Sequence, residues 1–190
     1  LLLILTLLMS TAANASIGDW KIYMAYDDPQ QIERVGEQLF VRASNSLYLY
    51  NKADQSIQTF DKTTGLNDVT VTNIGWNTTA KRLVIVYENS NIDLIDLQGN
   101  ITNISDLYNK TMTDDKTINS ITMNSQYAYL ATNFGGIKVD VSKAEISESY
   151  ILGLQVSKIG VDNTNIYALT KQNQTYMASL AANLIDKSNW

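Results

Sequence analysis

The run Leu83-Val84-Ile85-Val86-Tyr87 has no polar position, so it offers an apolar surface to both sides of a strand. A strand with one face in water alternates polar and apolar residues, because successive side chains point to opposite faces. This run does not alternate. The turn residues Glu88-Asn89-Ser90-Asn91 follow it, then a second extended run, Ile92-Asp93-Leu94-Ile95-Asp96-Leu97. A Gly99-Asn100 turn leads into a third strand-like piece, Ile101 to Ile104. Arg82 to Lys110 therefore reads as a β-meander with a strand covered on both faces. An antiparallel sheet usually leaves one face to solvent. Covering both suggests a small sheet stacked between two similar sheets, which is the situation of a propeller blade.

An internal repeat carries this further. Four segments align: QIERVGEQLFVRASNSLYLYN from Gln31, VTNIGWNTTAKRLVIVYENSNIDLID from Val71, INSITMNSQYAYLATNFGGIKVDV from Ile118, and VSKIGVDNTNIYALTKQNQTYMASL from Val156. Each has a short strand, a polar turn, a strand rich in Leu, Val, Tyr or Ala, a second turn of Asn, Ser or Gly, and another strand. The short strands are entered at Val35, Ile74, Ile121 and Ile159, which lie 39, 47 and 38 residues apart. Repeats of about 40–50 residues with several strands each are what propeller blades show. The expected fold is all-β, a β-propeller of four-stranded antiparallel blades, with repeats near 31–68, 71–116, 118–155 and 156–190. Four blades in an open array leave two apolar faces uncovered. The chain is thus expected to be the front of a longer protein whose remainder closes the ring, with Trp190 beginning another strand.

Composition narrows the function. The chain has 190 residues, 45% hydrophobic and 17% charged, so it is globular rather than disordered. Its formal net charge is −5, with no block of Lys or Arg, which argues against nucleic-acid binding. There is no Cys and no His, which excludes disulfides, Ser-His-Asp and Cys-His catalysis and the usual zinc sites within this segment. No cofactor is expected. Leu1 to Met9 is an apolar run of signal-peptide length, and Ala13-Asn14-Ala15 is an A-x-A cleavage pattern, so residues 1–15 read as an export signal and 16–190 as the propeller part.

Along the chain, Ile17 to Tyr26 reads as a strand stopped by a turn at Asp27-Asp28-Pro29. In Thr63-Thr64-Gly65-Leu66-Asn67-Asp68, Gly65 suits a positive φ, Leu66 a plug between blades and Asp68 a cap. Phe134-Gly135-Gly136 marks a sharp turn; no helix follows it, so it is not a phosphate loop. The polar insertion Tyr108 to Lys116 reads as a longer rim loop, and rim loops are where scaffolds carry binding function. Its Tyr108, Lys110, Asp114 and Asp115 are the candidate partner-binding residues. Asp93, Asp96, Asp106, Asp114, Asp115, Asp140 and Glu145 are the candidate carboxylates for a glycosidase, which needs two at a defined separation. Asp93, Asp96 and Asp140 recur at equivalent strand ends, which favours a structural role in turns. Tyr48, Tyr50, Tyr87, Tyr108, Tyr127 and Tyr129 suit either a sugar-binding face or packing between blades, the latter being favoured by their places on strands.

Taken in order, IGDW, SLYLYNKADQSIQTF, TTGLNDVTVTNIGWN, LVIVYENSNIDLID, ITNISDL, DKTIN, AYLATNFGGIKVDV and EISESYILG resemble the N-terminal propeller of the PorZ family, a component of the type IX secretion system of Bacteroidetes. The T-x-G-L-x-D piece alone also resembles the repeat of periplasmic two-component regulator propellers. The resemblance implies about four blades of an expected seven, in a protein with a second propeller and a C-terminal β-domain. It implies a place at the cell surface with the sortase PorU, the outer-membrane shuttle PorV and PorQ, and delivery of anionic lipopolysaccharide to the sortase. Gly135-Gly136-Ile137 departs from the family's F-G-I, which a one-residue bulge would accommodate. The expected function is a non-catalytic binding and assembly module. The alternatives are the periplasmic ligand-sensing propeller of a hybrid two-component histidine kinase and, less well supported, a propeller glycosidase or lyase.

Overall fold

A computed structural model describes residues 25–190. The export signal and the strand expected from Ile17 lie outside the described residues, apart from Ala25 and Tyr26. Among the described residues, fifteen strands form four antiparallel meanders in chain order. The first sheet contains β1 (Pro29–Val35), β2 (Gln38–Ala43), β3 (Ser46–Asn51) and β4 (Ile57–Phe60). The second contains β5 (Val71–Asn77), β6 (Arg82–Tyr87), β7 (Ile92–Asp96) and β8 (Ile101–Ile104). The third contains β9 (Ile118–Asn124), β10 (Tyr127–Thr132), β11 (Gly135–Asp140) and β12 (Glu145–Ile151). The fourth has three strands, β13 (Val156–Val161), β14 (Asn165–Thr170) and β15 (Thr175–Ser179).

The doubly covered run is β6, and its side chains divide by parity. Leu83, Ile85 and Tyr87 enter a core shared with the first sheet, alongside Phe40, Leu47, Phe60 and Ile74. Val84 and Val86 enter a core shared with the third sheet, alongside Leu130, Ile137 and Val139. The third sheet repeats this, with Ala128 and Leu130 turned to the second sheet and Tyr129 and Ala131 to the fourth. Each sheet is thus a layer in a stack. The first strands of successive sheets lie against one another, β1 on β5, β5 on β9 and β9 on β13, so these edges converge while the fourth strands point outward.

Side chains lock the converging edges. Gln31 Nε2 donates to the Ile74 carbonyl at 2.5 Å, and the Ile74 N–H returns a bond to Gln31 Oε1 at 3.0 Å. Asn73 Nδ2 reaches the Ile118 carbonyl at 3.4 Å, and Ser120 Oγ the Ser157 carbonyl at 2.9 Å. Within every sheet, the N–H of the residue after the second strand bonds the carbonyl just before the first: Ser44 to Asp28, Glu88 to Thr70, Asn133 to Thr117 and Lys171 to Gln155, at 2.8–3.1 Å. This fourfold recurrence makes the sheets copies of one unit. They are the blades of an incomplete β-propeller.

The register shifts the sequence alignment in one place. Each first strand carries an irregularity at its second residue, and the equivalent residues are Ile32, Ile74, Ile121 and Ile159, paired with Val41, Ile85, Leu130 and Ala168. Val35 ends its strand. Val35 is half-buried, whereas Ile32 points away from the second sheet and is 57% exposed.

Candidate binding site

The 13-residue connection from β8 to β9, residues 105–117, is an ordered platform. Its helical turn α1 (Asp106–Asn109) buries Leu107 beneath it, and Met112 packs on the same core. The Lys116 ammonium closes the loop by donating to the carbonyls of Leu107, Tyr108 and Lys110 at 3.1, 2.8 and 3.1 Å. A cation on the last carbonyls of a helical turn satisfies groups that have no partner within it. Asp115 accepts from the Thr117 hydroxyl and N–H at 2.7 and 2.9 Å and from Asn133 Nδ2 at 2.5 Å. These bonds, the Thr117 hydroxyl foremost, hold its carboxyl below the usual carboxylate range.

The four candidate residues therefore have different roles. Tyr108 is 48% exposed and Lys110 and Asp114 project into solvent, while the carboxylate of Asp115, also exposed, is engaged in clamping the loop end to Asn133. The Lys110 side chain borders a groove of about 200 Å³ with Asp106, Leu107, Ile146 and Ser149, where the platform meets β12.

Of the carboxylates, Asp96 and Asp140 are turn residues as expected. Asp96 accepts from the N–H groups of Gln98 and Asn100, and Asp140 from those of Ser142 and Lys143. Glu145 pairs with Lys143 at 3.6 Å. Asp93 is different: it is a mid-strand residue of β7 and fully buried, not a strand-end residue. It accepts from the Asn67 N–H and Nδ2, both at 2.9 Å, from the Tyr87 hydroxyl at 2.6 Å and from Asn103 Nδ2 at 2.8 Å. Four donors pay the desolvation of a buried charge and pin the link between the first and second blades. In that link Leu66 is the buried plug and Gly65 has φ 110°, as read from the sequence. The 3-10 turn is capped by Asp61, which accepts from the Thr63 and Thr64 N–H groups, while Asp68 accepts from the Val69 N–H at 3.1 Å and from Asn89.

One other expectation is corrected. No bulge occurs at Gly135-Gly136, where both flanking registers are regular; the β11–β12 irregularity lies at Lys138–Val139. The glycines answer to crowding: a Cβ on Gly135 would lie 2.1 Å from the Tyr150 carbonyl oxygen, and one on Gly136 would lie 2.5 Å from Ile159 Cδ1. Trp190 is held by the segment before it. It follows a single 3-10 turn, packs on Tyr150 at 5.7 Å and donates its indole N–H to the Leu184 carbonyl at 3.0 Å.

Sequence reading missed a cleft of about 400 Å³ between the third and fourth blades, walled by Tyr129, Lys138 and Glu148 on one side and Leu180–Ile185 on the other. Lys138 pairs with Glu148 at 2.8 Å and sits 4.3 Å from the centre of the Tyr127 ring; the Tyr150 hydroxyl donates to Glu148 at 3.0 Å. Burial would lower the Lys138 pKa, but the bond to Glu148 together with the electrostatic influence of Tyr129, Glu148 and Tyr127 outweighs it and the pKa is raised. Burial, then the Glu148 charge, raises that of Tyr150. The paired charges cancel, so the cleft favours a neutral occupant over an anion. The six tyrosines do not form one face: Tyr87 and Tyr129 are buried between blades, Tyr48 lies edge-on to Tyr26, and Tyr108 is on the rim. Among the described residues, no three or more Asp or Glu side chains are placed to hold a metal ion, and no helix is long and apolar enough to cross a membrane.

Stacked four-stranded meanders with converging first strands and a built rim platform define a β-propeller module. Residues 39–190 match the family model for the PorZ N-terminal β-propeller domain of the type IX secretion system, and the chain belongs to that family. It is similar to PorZ, described as an essential bacterial surface component of the type IX secretion system of Porphyromonas gingivalis, with 30% identity, a TM-score of 0.83 and coverage of 91% of this chain. The chain spans 23% of the length of that protein. The fold is shared with the extracellular domain of a hybrid two-component system from B. thetaiotaomicron, at 18% identity and a TM-score of 0.63, covering 79% of this chain and 20% of that one. It is also shared with AztD from Citrobacter koseri, at 16% identity and a TM-score of 0.59, covering 77% and 42%. No curated protein sequence matches the chain.

Proposed function

We propose that this propeller is a non-catalytic binding and assembly module of a type IX secretion attachment complex, exported and displayed at the cell surface. The observation that carries the reading is the 30% identity to PorZ across 91% of the chain. The propeller works by shape recognition. Its rim platform is pre-organised by Leu107, Lys116 and Asp115, so little ordering entropy is lost when a partner meets Tyr108, Lys110 and Asp114. The partners are the sortase and the outer-membrane shuttle, and anionic lipopolysaccharide is the material delivered to the sortase. Further blades of the same polypeptide close the ring.

The sensor reading, in which a related propeller binds a ligand and signals through a kinase, draws on the 18% identity to a two-component system domain, which speaks for a shared fold alone. Affinity capture of the full-length protein from outer membranes tests the proposal. Recovery of both the sortase and the shuttle is expected; recovery of neither would overturn it.

A further inference from the structure

The outer strand of the third blade borders the groove beside the rim platform. That strand, β12, has seven residues, whereas β4 and β8 have four each. The Leu152 N–H bonds the Phe134 carbonyl at 2.9 Å, one step beyond the pairing of Gly135 with Ile151. Bonded and unbonded pairs alternate along an antiparallel ladder. Gly136–Tyr150 and Lys138–Glu148 are therefore the bonded pairs. The main-chain N–H and C=O groups of Ser149 and Ile151 point the other way, out from the rim. No main-chain hydrogen bond from a turn or loop among the described residues takes them.

The side chains of the same two residues share a face. Tyr150 enters the core with the fourth blade, so Ser149 and Ile151 face the second blade. The irregularity at Lys138–Val139 turns Ile146 to that face as well, where it packs on the core of the second and third blades. Ile146 and Ser149 make one wall of the groove of about 200 Å³, and Asp106, Leu107 and Lys110 of the platform make the other. Ile151 is the next residue on this face and is 41% exposed. The matching residue of the second blade, Asn103, has no such groove; its side chain is held by Asp93 and Asn91. Asp106 and Lys110 stand one helical turn apart, and no ion pair among the described residues includes either. Their opposite charges flank an apolar floor of Leu107 and Ile146, which suits a neutral apolar group better than a polyanion.

We infer that the β12 edge and this groove dock an extended segment of a protein partner, which adds to the third blade as a further strand. The inference rests on the rim platform being the partner surface. A residue paired opposite Ser149 carries its side chain on the face that Ser149 shares with the groove. That side chain enters between Leu107 and Ile146. The residue two positions along lies on Ile151, and the one between turns to the opposite face. The segment the site selects is thus extended, with aliphatic residues two apart. The four main-chain groups of Ser149 and Ile151 supply its hydrogen bonds, and the groove supplies the selectivity.

Hydrogen–deuterium exchange over residues 145–152 tests this, comparing the full-length protein alone with the assembly captured from outer membranes. The amides of Ser149 and Ile151 are expected to slow by about tenfold or more in the assembly. Ile151→Lys puts a charge on the edge at an exposed position and is expected to lower recovery of the sortase and shuttle by about tenfold or more. Leu97→Lys, equally exposed at 41% in the turn between β7 and β8, is expected to leave recovery unchanged. Recovery of both proteins with the two amides as fast as in the protein alone would overturn this inference and leave the proposed function standing. Recovery of neither would overturn the two together. Recovery undiminished by Ile151→Lys would also overturn the inference, as would equal slowing by purified lipopolysaccharide alone, which brings no strand.

Discussion

Single residues hold this fold at points where the chain leaves no alternative. Gly135 has φ 139° and stands where a Cβ would meet the Tyr150 backbone oxygen. Gly135→Ala is expected to destabilise by about 3 kcal/mol or more, because neither the torsion nor the backbone contact relaxes cheaply. At Gly136 the obstacle is a side-chain tip, so Gly136→Ala should cost less, about 1–3 kcal/mol, and should be partly recovered by Ile159→Val. Urea denaturation of the single and double variants separates the two cases. Asp93→Ala strips one acceptor from four buried or half-buried donors and is expected to cost about 3–5 kcal/mol, measured in the same way. Gly65 and Leu66 were legible in the sequence because a turn and a plug have local signatures. Asp93 was not: its partners Asn67 and Tyr87 meet it only through the stacking of two blades, and its spacing matched that of a turn residue.

Among the elements, the rim platform and the inner ring make separate predictions. Lys116→Met keeps the stem packing but leaves three carbonyls without their donor. It is expected to cost about 1 kcal/mol and to raise amide exchange within 105–117 while the blades stay protected. In the inner ring, Glu33 accepts from the Trp76 N–H at 3.3 Å, and burial raises its pKa above 4.5. A carboxyl whose folded pKa is raised binds protons more readily in the fold, so its contribution is fullest below the unfolded pKa and is lost as pH rises through the folded one. Glu33→Gln is therefore expected to stabilise the protein at pH 7 more than at pH 4, read from the denaturation midpoints at both. The strands themselves were readable from parity, since a run without polar positions has to be covered twice. The Lys138–Glu148 cleft was hidden because it depends on which sheets face each other, and a lone lysine in a strand carries no such information.

As a whole molecule the chain is a stack in which each blade provides half of two cores. The repeat made this order legible before any coordinates, and the family motifs followed it. The alignment slipped by three residues only in the first blade, where Ile32 lies on a face that no described sheet covers. Ile32 and Ile57 at one end are 57% and 63% exposed, and Met177 and Leu169 at the other are 53% and 37% exposed. Stacking alone gives no reason for the two terminal faces to differ from the interior ones, where Ile74, Ile85 and Leu130 are fully buried. The most direct test is an experimentally determined density map of the full-length polypeptide. The account predicts that these four sheets are neighbours in one ring, with Gln31, Asn73 and Ser120 each bonded to the next first strand and with a further sheet covering each terminal face. A terminal face left to solvent, or the four sheets paired as a two-layer sandwich, would contradict it.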